Sequence, residues 1–249
     1  MLERGIYMKV IGIIPARYHS SRLPGKPLAV INGKPMIYWV YEQAKRVKEL
    51  TDVYVATDDQ RISDAVCGFG GNTIITSDKH KTGTDRVAEV ATMISADWYV
   101  NIQGDEPMIE PETIKAVLTP INEGVDAEVI NLMSKISDPV DAINPTVPKV
   151  ITNAAGRGIF LTRSLAPFPK GTSEYSFYKQ LGVYAFTPKA LEFFLNAEQG
   201  KVEVVEEIEI LRFIENGINV QYVEVDTKSI AVDTPKDLMK VTRLMGKMM

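Results

Sequence analysis

The chain has 249 residues, 45% of them apolar and 24% charged, with a formal net charge of −4 at pH 7. That length suits one large α/β domain or two modest ones and is ample for a buried core, while the acidic balance argues against bulk nucleic-acid binding and leaves room for a local basic pocket. One cysteine, Cys67, and two histidines, His19 and His80, exclude an intramolecular disulfide, a cysteine-based zinc site and a histidine-rich metal site, and no apolar run is long enough to span a bilayer. The expectation is a cytoplasmic protein with no membrane insertion.

Residues 1–8 read as an N-terminal extension and 9–249 as a single domain. The first strand is expected at 9–14, with the buried pattern Val10-Ile-Gly-Ile-Ile14. It breaks into a loop carrying Arg17, Arg22 and Lys26, with Ser20, Ser21 and Gly25 among them. A cationic loop between the first strand and first helix is where α/β folds bind phosphates. The loop is not a Walker A motif, because Pro27 follows Gly25-Lys26, and it lacks the G-x-G-x-x-G fingerprint of dinucleotide binders. A helix over 36–48 carries apolar residues at Ile37, Val40, Tyr41, Ala44 and Val47. A strand at 52–57 stops at Asp58-Asp59, and a short helix over 60–68 follows, on which Cys67 reads as core packing. Strands at 72–76 and 98–103 alternate with helices at 84–94 and 111–120. Such repeated strand–helix units imply a mostly parallel sheet with helices on both faces. After Asp126 the pattern changes. Strands at 128–135, 149–152, 158–164 and 180–186 read as a mixed, partly antiparallel β insertion at about 126–186, with a mobile loop over 171–178. Helices follow at 188–196 and 205–216, the second closed by Gly217, then a strand at 220–226 and a last helix at 235–247 capped by Asp233 or Thr234.

The most telling acidic residues end strands. In Val100-Asn-Ile-Gln-Gly-Asp-Glu-Pro107 an apolar strand delivers Asp105 to the carboxyl edge of the sheet, where a carboxylate can hold Mg2+ alongside substrate phosphates. Asp233 follows Ile230-Ala-Val232 and either caps a helix or supplies a second metal anchor. In the polar loop 76–86, Gly83 permits close approach to a ligand. Arg86 opposes the helix dipole in a first turn, which fits either a base or phosphate contact or a solvated arginine. His19 and His80 lie in polar loops with no neighbour in sequence to orient them as general bases.

Together these segments resemble the CMP-Kdo synthetases, the 3-deoxy-manno-octulosonate (Kdo) cytidylyltransferases, from Lys9 to the last helix. The matching pieces are Ile14-Pro-Ala-Arg-Tyr, Ser21-Arg-Leu-Pro-Gly-Lys-Pro, Ala56-Thr-Asp-Asp, His80-Lys-Thr-Gly-Thr-Asp-Arg, Gln103-Gly-Asp-Glu-Pro, Leu181-Gly-Val-Tyr and Val232-Asp-Thr-Pro. The resemblance implies a nucleotidyltransferase-type (Rossmann-like) α/β fold whose insertion contributes to a homodimer. It also implies CTP-dependent, Mg2+-dependent activation of a sugar acid with release of pyrophosphate, in the service of lipopolysaccharide biosynthesis. Carried over by position, Ala16, Arg17, Ser20 and Lys26 form the triphosphate loop, with Arg17, Lys26 and Asp105 catalytic. Thr76, Ser77 and Arg86 fall in the cytidine region, and Gln103 lies between nucleotide and sugar acid. Asp105 and Asp233 match the metal aspartates, and Arg163, Gln180, Tyr184 and Glu209 fall in the acceptor pocket, Arg163 facing the acid's carboxylate. Three departures lie on the acceptor side. Gln180 replaces a histidine, Ile210 replaces a glutamine, and the stretch after Arg163, Ser-Leu-Ala-Pro-Phe-Pro, is one residue longer than usual. The triphosphate and metal motifs are intact, so the departures bear on the acceptor, Kdo or a modified Kdo, and not on the cytidylyltransferase reading; left open are another small acid, a uridylyl- or guanylyltransferase, a non-catalytic nucleotide-binding protein on the same scaffold and, more remotely, a NAD-dependent oxidoreductase.

Overall fold

The computed structural model describes residues 8–20, 22–171 and 174–247. Residues 1–7 of the expected extension, Ser21 of the cationic loop, and Thr172 and Ser173 of the expected 171–178 loop lie outside them. In chain order come β1 (Val10–Ala16), a 3-10 turn (Lys26–Leu28), the short hairpin β2 (Val30–Ile31) and β3 (Lys34–Pro35), α1 (Met36–Lys45), β4 (Asp52–Thr57), α2 (Gln60–Gly68), β5 (Thr73–Ile75), α3 (Gly83–Met93) and β6 (Trp98–Ile102). The second half holds α4 (Pro111–Ala116), α5 (Thr119–Asn122), β7 (Val129–Lys135), α6 (Pro139–Ile143), β8 (Lys149–Thr152), β9 (Gly158–Thr162), β10 (Tyr178–Phe186), α7 (Pro188–Asn196), α8 (Lys201–Glu206), α9 (Leu211–Glu215), β11 (Val220–Glu224) and α10 (Pro235–Gly246).

Among the described residues one nine-stranded sheet runs β11-β7-β10-β6-β1-β4-β5, with β8 paired to β10 and β9 paired to β8. β1 is parallel to both β4 and β6, and β4 to β5. β10 runs against β6 and β7, and β11 lies parallel to β7. Successive strand residues face opposite sides, and both sides are apolar. From β1, Val10 and Ile14 pack with Ile37, Val40, Ile62 and Ile114 on one face. Ile11 and Ile13 pack with Val87, Leu191 and Phe213 on the other. This is why β1 reads as an unbroken apolar run. The last helix buries Val241 and Met245 against Ile31, Met36 and Val232 in a smaller third cluster. No helix among the described residues is long and apolar enough to cross a membrane.

The strands expected at 126–186 are mixed and partly antiparallel as anticipated, and they join the sheet, with β7 and β10 interior and β8 and β9 off its main path. Three expectations need correction. The helix expected at 205–216 is two helices, because Glu207 adopts a left-handed conformation (φ 51°, ψ 46°) and ends α8. The helix expected at 111–120 divides into α4 and α5, with Pro120 in the first turn of the second. Cys67 is exposed, because α2 turns Ile62, Ser63 and Val66 inward instead.

Candidate active site

The carboxyl ends of β1, β4, β5 and β6 come out along one edge of the sheet. Because β10 runs the opposite way, its first half reaches the same edge: Gln103 donates its backbone N–H to the Gly182 carbonyl at 2.9 Å. A Cβ at position 182 would run into the Gln103 side chain and approach the Glu106 carboxylate, so glycine is required there. Over this edge lies an open cavity of about 770 Å³.

One wall of the cavity is cationic. After β1 the chain turns through Tyr18, whose carbonyl accepts from Gly25 N–H at 3.0 Å and whose ring lies 3.4 Å under the Arg61 guanidinium. Gly25 has φ +67° with the Tyr18 ring 3.2 Å from where a Cβ would stand, so a side chain there would be strained and crowded. The 3-10 turn follows directly, with Pro27 buried and Lys26 presented to the cavity. Arg17 also lines the cavity; it is exposed and makes no ion pair or hydrogen bond among the described residues. Ala16 and Ser20 line the same wall.

Four charged groups from three remote segments converge in the cavity. Lys26 Nζ lies 2.6 Å from Asp105 Oδ2 and 3.1 Å from Asp233 Oδ1, and Arg22 reaches the same Asp233 oxygen at 3.1 Å. The two aspartate loops are stitched together by a backbone bond from Val232 N–H to the Asp105 carbonyl, at 2.8 Å. Thr234, not Asp233, caps α10 through a capping box with Asp237, which frees the Asp233 side chain for the cavity. Burial alone would depress the Lys26 ammonium, but the two carboxylates outweigh it and hold its pKa above the ordinary lysine value, so it remains charged. Two carboxylates drawn onto one cation form a hard-oxygen donor pair of the kind Mg2+ uses together with phosphate oxygens. The residues therefore fit that ion, and Asp105 and Asp233 are the ones that would hold it.

Gln103, Gln180, Tyr184 and Glu209 also line the cavity. Burial, with the Glu209 carboxylate nearby, pushes the Tyr184 phenol well above its usual value, so it remains an O–H donor. Burial also raises the Glu209 carboxyl, against the backbone N–H of Thr84 that it accepts at 3.2 Å. Gln180 donates to Asn131 Oδ1 at 3.0 Å. Ile210 does not line the cavity. It is wholly buried in the apolar layer, so its departure from the family pattern alters packing and not the lining.

Arg163 lines the cavity with its guanidinium already engaged. Nε donates to the Glu206 carbonyl at 2.6 Å, one terminal nitrogen to Glu207 at 3.1 Å and the other to Pro145 at 3.0 Å. It thus satisfies carbonyls that α8 leaves orphaned at its end, and among the described residues its guanidinium makes no carboxylate pair. Thr76 and Ser77 do not line the cavity. Thr76 is buried and accepts from Arg86, and Ser77 N–H donates to Glu89 at 2.8 Å. Arg86 lines the cavity but is not a solvated arginine: it is 3% exposed and pairs with Asp58 at 3.1 Å, tying α3 to the end of β4.

Sequence reasoning missed a partner for His80, whose Nε2 lies 2.5 Å from the Glu89 carboxylate. It also missed the buried Glu203–Arg212 pair (2.6 and 2.9 Å), and Asn101, wholly buried with neither amide atom partnered among the described residues. A nine-residue spacing across a loop gave no periodic signal for the first. For Asn101 the signal was present: an amide at a position where strand alternation calls for an apolar side chain.

A sequence model of the family described as cytidylyltransferase matches residues 11–229. The chain is 43% identical over 245 residues to the 3-deoxy-manno-octulosonate cytidylyltransferase of Geobacter sulfurreducens, covering 94% of this chain and 98% of that protein. It is 41% identical over 239 residues to the protein of that name from Escherichia coli, covering 96% and 97%. Among solved structures, CMP:2-keto-3-deoxy-manno-octonic acid synthetase complexed with CTP superposes with a TM-score of 0.93 at 40% identity, over 97% of this chain and all of that one. A 4-diphosphocytidyl-2C-methyl-D-erythritol synthase from Anaerococcus prevotii, 16% identical with a TM-score of 0.65, shares the fold alone. From the ordered motifs, the matching sheet and these identities across nearly the whole length, the chain belongs to the cytidylyltransferase family, in its 3-deoxy-manno-octulosonate cytidylyltransferase branch.

Proposed function

We propose that this protein couples CMP from CTP to a 3-deoxy-ulosonic acid, Kdo or a modified Kdo, with release of pyrophosphate. The observation that carries the reading is the meeting of Lys26, Asp105 and Asp233 in a cavity lined by a cationic loop and by hydroxyl, amide and carboxylate groups. The resemblance to a synthetase solved with CTP supports the choice of nucleotide.

In this reading the triphosphate lies along Ala16, Arg17, Ser20 and Lys26, and the cytidine lies toward Arg86, with Thr76 and Ser77 shaping the loop behind it. The acceptor hydroxyl attacks the α-phosphorus, the new oxygen–phosphorus bond forms as the bond to pyrophosphate breaks, and the hydroxyl proton leaves to solvent. Arg17 and Lys26 stabilise the charge that gathers on the phosphate oxygens. Mg2+ held by Asp105 and Asp233 supplies further neutralisation of that charge. Gln103, Gln180, Tyr184 and Glu209 orient the acceptor through hydrogen bonds to its hydroxyls, and Arg163 braces the loop that carries Glu209. The reading brings with it a homodimer and a cytoplasmic setting, both supported by the family resemblance.

A second reading, a different small acid as acceptor, draws support from Gln180 lining the cavity in place of the family's histidine. One assay separates the readings. The protein is incubated with CTP, Mg2+ and a panel of 3-deoxy-ulosonic and related acids, pyrophosphate is measured, and conjugates are identified by mass. A CMP–ulosonate product with stoichiometric pyrophosphate is expected. CTP binding without pyrophosphate release for any acid would leave a nucleotide-binding protein instead.

A further inference from the structure

Lys26 has two tasks that conflict. As part of the cationic loop it belongs to the phosphates, yet its ammonium sits between the carboxylates of Asp105 and Asp233. The placement is built in. The left-handed Gly25 and the buried Pro27 fix the turn that presents Lys26, and the Val232–Asp105 backbone bond fixes the two carboxylate loops relative to each other. The Lys26 side chain is only 18% exposed and Asp105 only 23%, so solvent does little to screen the contact. The ammonium therefore stands where a divalent cation shared by the two aspartates would have to go, and two like charges cannot occupy that place together.

The triphosphate resolves the conflict. Its oxygens compete for the ammonium, and when Lys26 moves to them Asp105 is left without a counter-charge and Asp233 with only Arg22, whose side chain is 55% exposed. The uncompensated carboxylate charge then favours capture of a divalent ion, and the nucleotide's own oxygens complete its shell. We propose that Lys26 is an internal counter-ion that holds the divalent-cation position closed until nucleotide arrives, so that the chain takes up its metal with the triphosphate and not before it. The proposal rests on the reading that Asp105 and Asp233 are the metal ligands.

The test is binding of Mn2+ alone to the full chain, followed by its electron paramagnetic resonance signal without nucleotide. Wild type is compared with Lys26→Met and with Lys26→Gln, which keeps a hydrogen-bonding head without the charge. Each variant is expected to bind one Mn2+ at least tenfold more tightly than wild type, and the gain is lost when Asp105→Asn is added. Thermal melting gives an independent readout: Mn2+ raises the melting temperature of the Lys26 variants and leaves that of wild type unchanged. Equal Mn2+ affinity in wild type and both variants overturns the proposal. So does tight binding of free Mn2+ by wild type, a result that needs no variant to fold. Pyrophosphate release by wild type with CTP, Mg2+ and acceptor is measured in parallel. Turnover without the Mn2+ difference removes the counter-ion role and leaves the reaction standing, whereas absent turnover with every acceptor removes the reaction itself.

Discussion

Arg86 offers the sharpest division between a strut and a nucleotide ligand. Its guanidinium donates to Thr76 and pairs with Asp58 at 3.1 Å, with the two side chains only 4% and 14% exposed. Arg86→Met keeps much of the stem's packing and removes the charge, which leaves Asp58 buried without a counter-ion. Breaking a buried pair from one side costs about 3–5 kcal/mol, whereas removing both partners is often close to neutral. In a chain of this size each kcal/mol lowers the melting temperature by about 2–4 °C, so Arg86→Met should melt on the order of 10 °C below wild type. Arg86→Met with Asp58→Asn should recover at least half of that loss. Urea denaturation of the three proteins, with CTP titrations on each, measures both quantities. If Arg86→Met costs less than about 1 kcal/mol while CTP affinity collapses, the guanidinium is chiefly a nucleotide ligand and the argument from its burial is wrong.

Two further perturbations concern the acceptor. Gln180→His should change the ratio of kcat/KM between Kdo and its modified relatives, whereas Ile210→Gln, which buries an amide in an apolar layer, should cost on the order of 3–5 kcal/mol with no change in that ratio; competition assays and denaturation curves decide between packing and recognition. Glu209 has a pH signature. Burial raises its carboxyl in the folded chain above the ordinary 4.5, so between those two values the folded state binds the proton more tightly than the unfolded state, and stability falls as pH rises through that window. Glu209→Gln should flatten this part of the melting-temperature profile and gain most above it; an unchanged slope would show that Glu209 does not titrate in this way.

Much of the fold is written locally. β4 and α2 occur at the residues where a short apolar run, an Asp-Asp stop and helical periodicity place them. The cationic loop and Asp105 were legible because each sits where a strand gives way to a turn, and such transitions carry ligands in open α/β sheets; Asp233 was legible from the short apolar run before it and the helix start after it. What escaped depends on partners distant in sequence or on backbone states that no residue type announces. The break at Glu207 has no glycine to signal it, and its carbonyl is satisfied by Arg163 from another segment. The engagement of Arg163 could not be foreseen for the same reason. Arg86 looks solvated until Asp58, 28 positions earlier, is brought beside it. The direction of β10, which carries Gln180 and Tyr184 to the site, is a property of the whole sheet and not of those nine residues.

The backbone bond between Val232 and Asp105 has a consequence for the life of the polypeptide. Lys26 and Asp233 stand 207 positions apart, and the second belongs to the segment that leads into the final helix. During translation β5, β4, β1 and β6 can assemble around their own apolar residues well before Asp233 leaves the ribosome. Until it does, Lys26 has only Asp105 to answer it, and a half-made chain lacks one of the two carboxylates proposed to hold the metal. On that reading catalytic competence waits for residue 233, long after the first strands of the sheet exist.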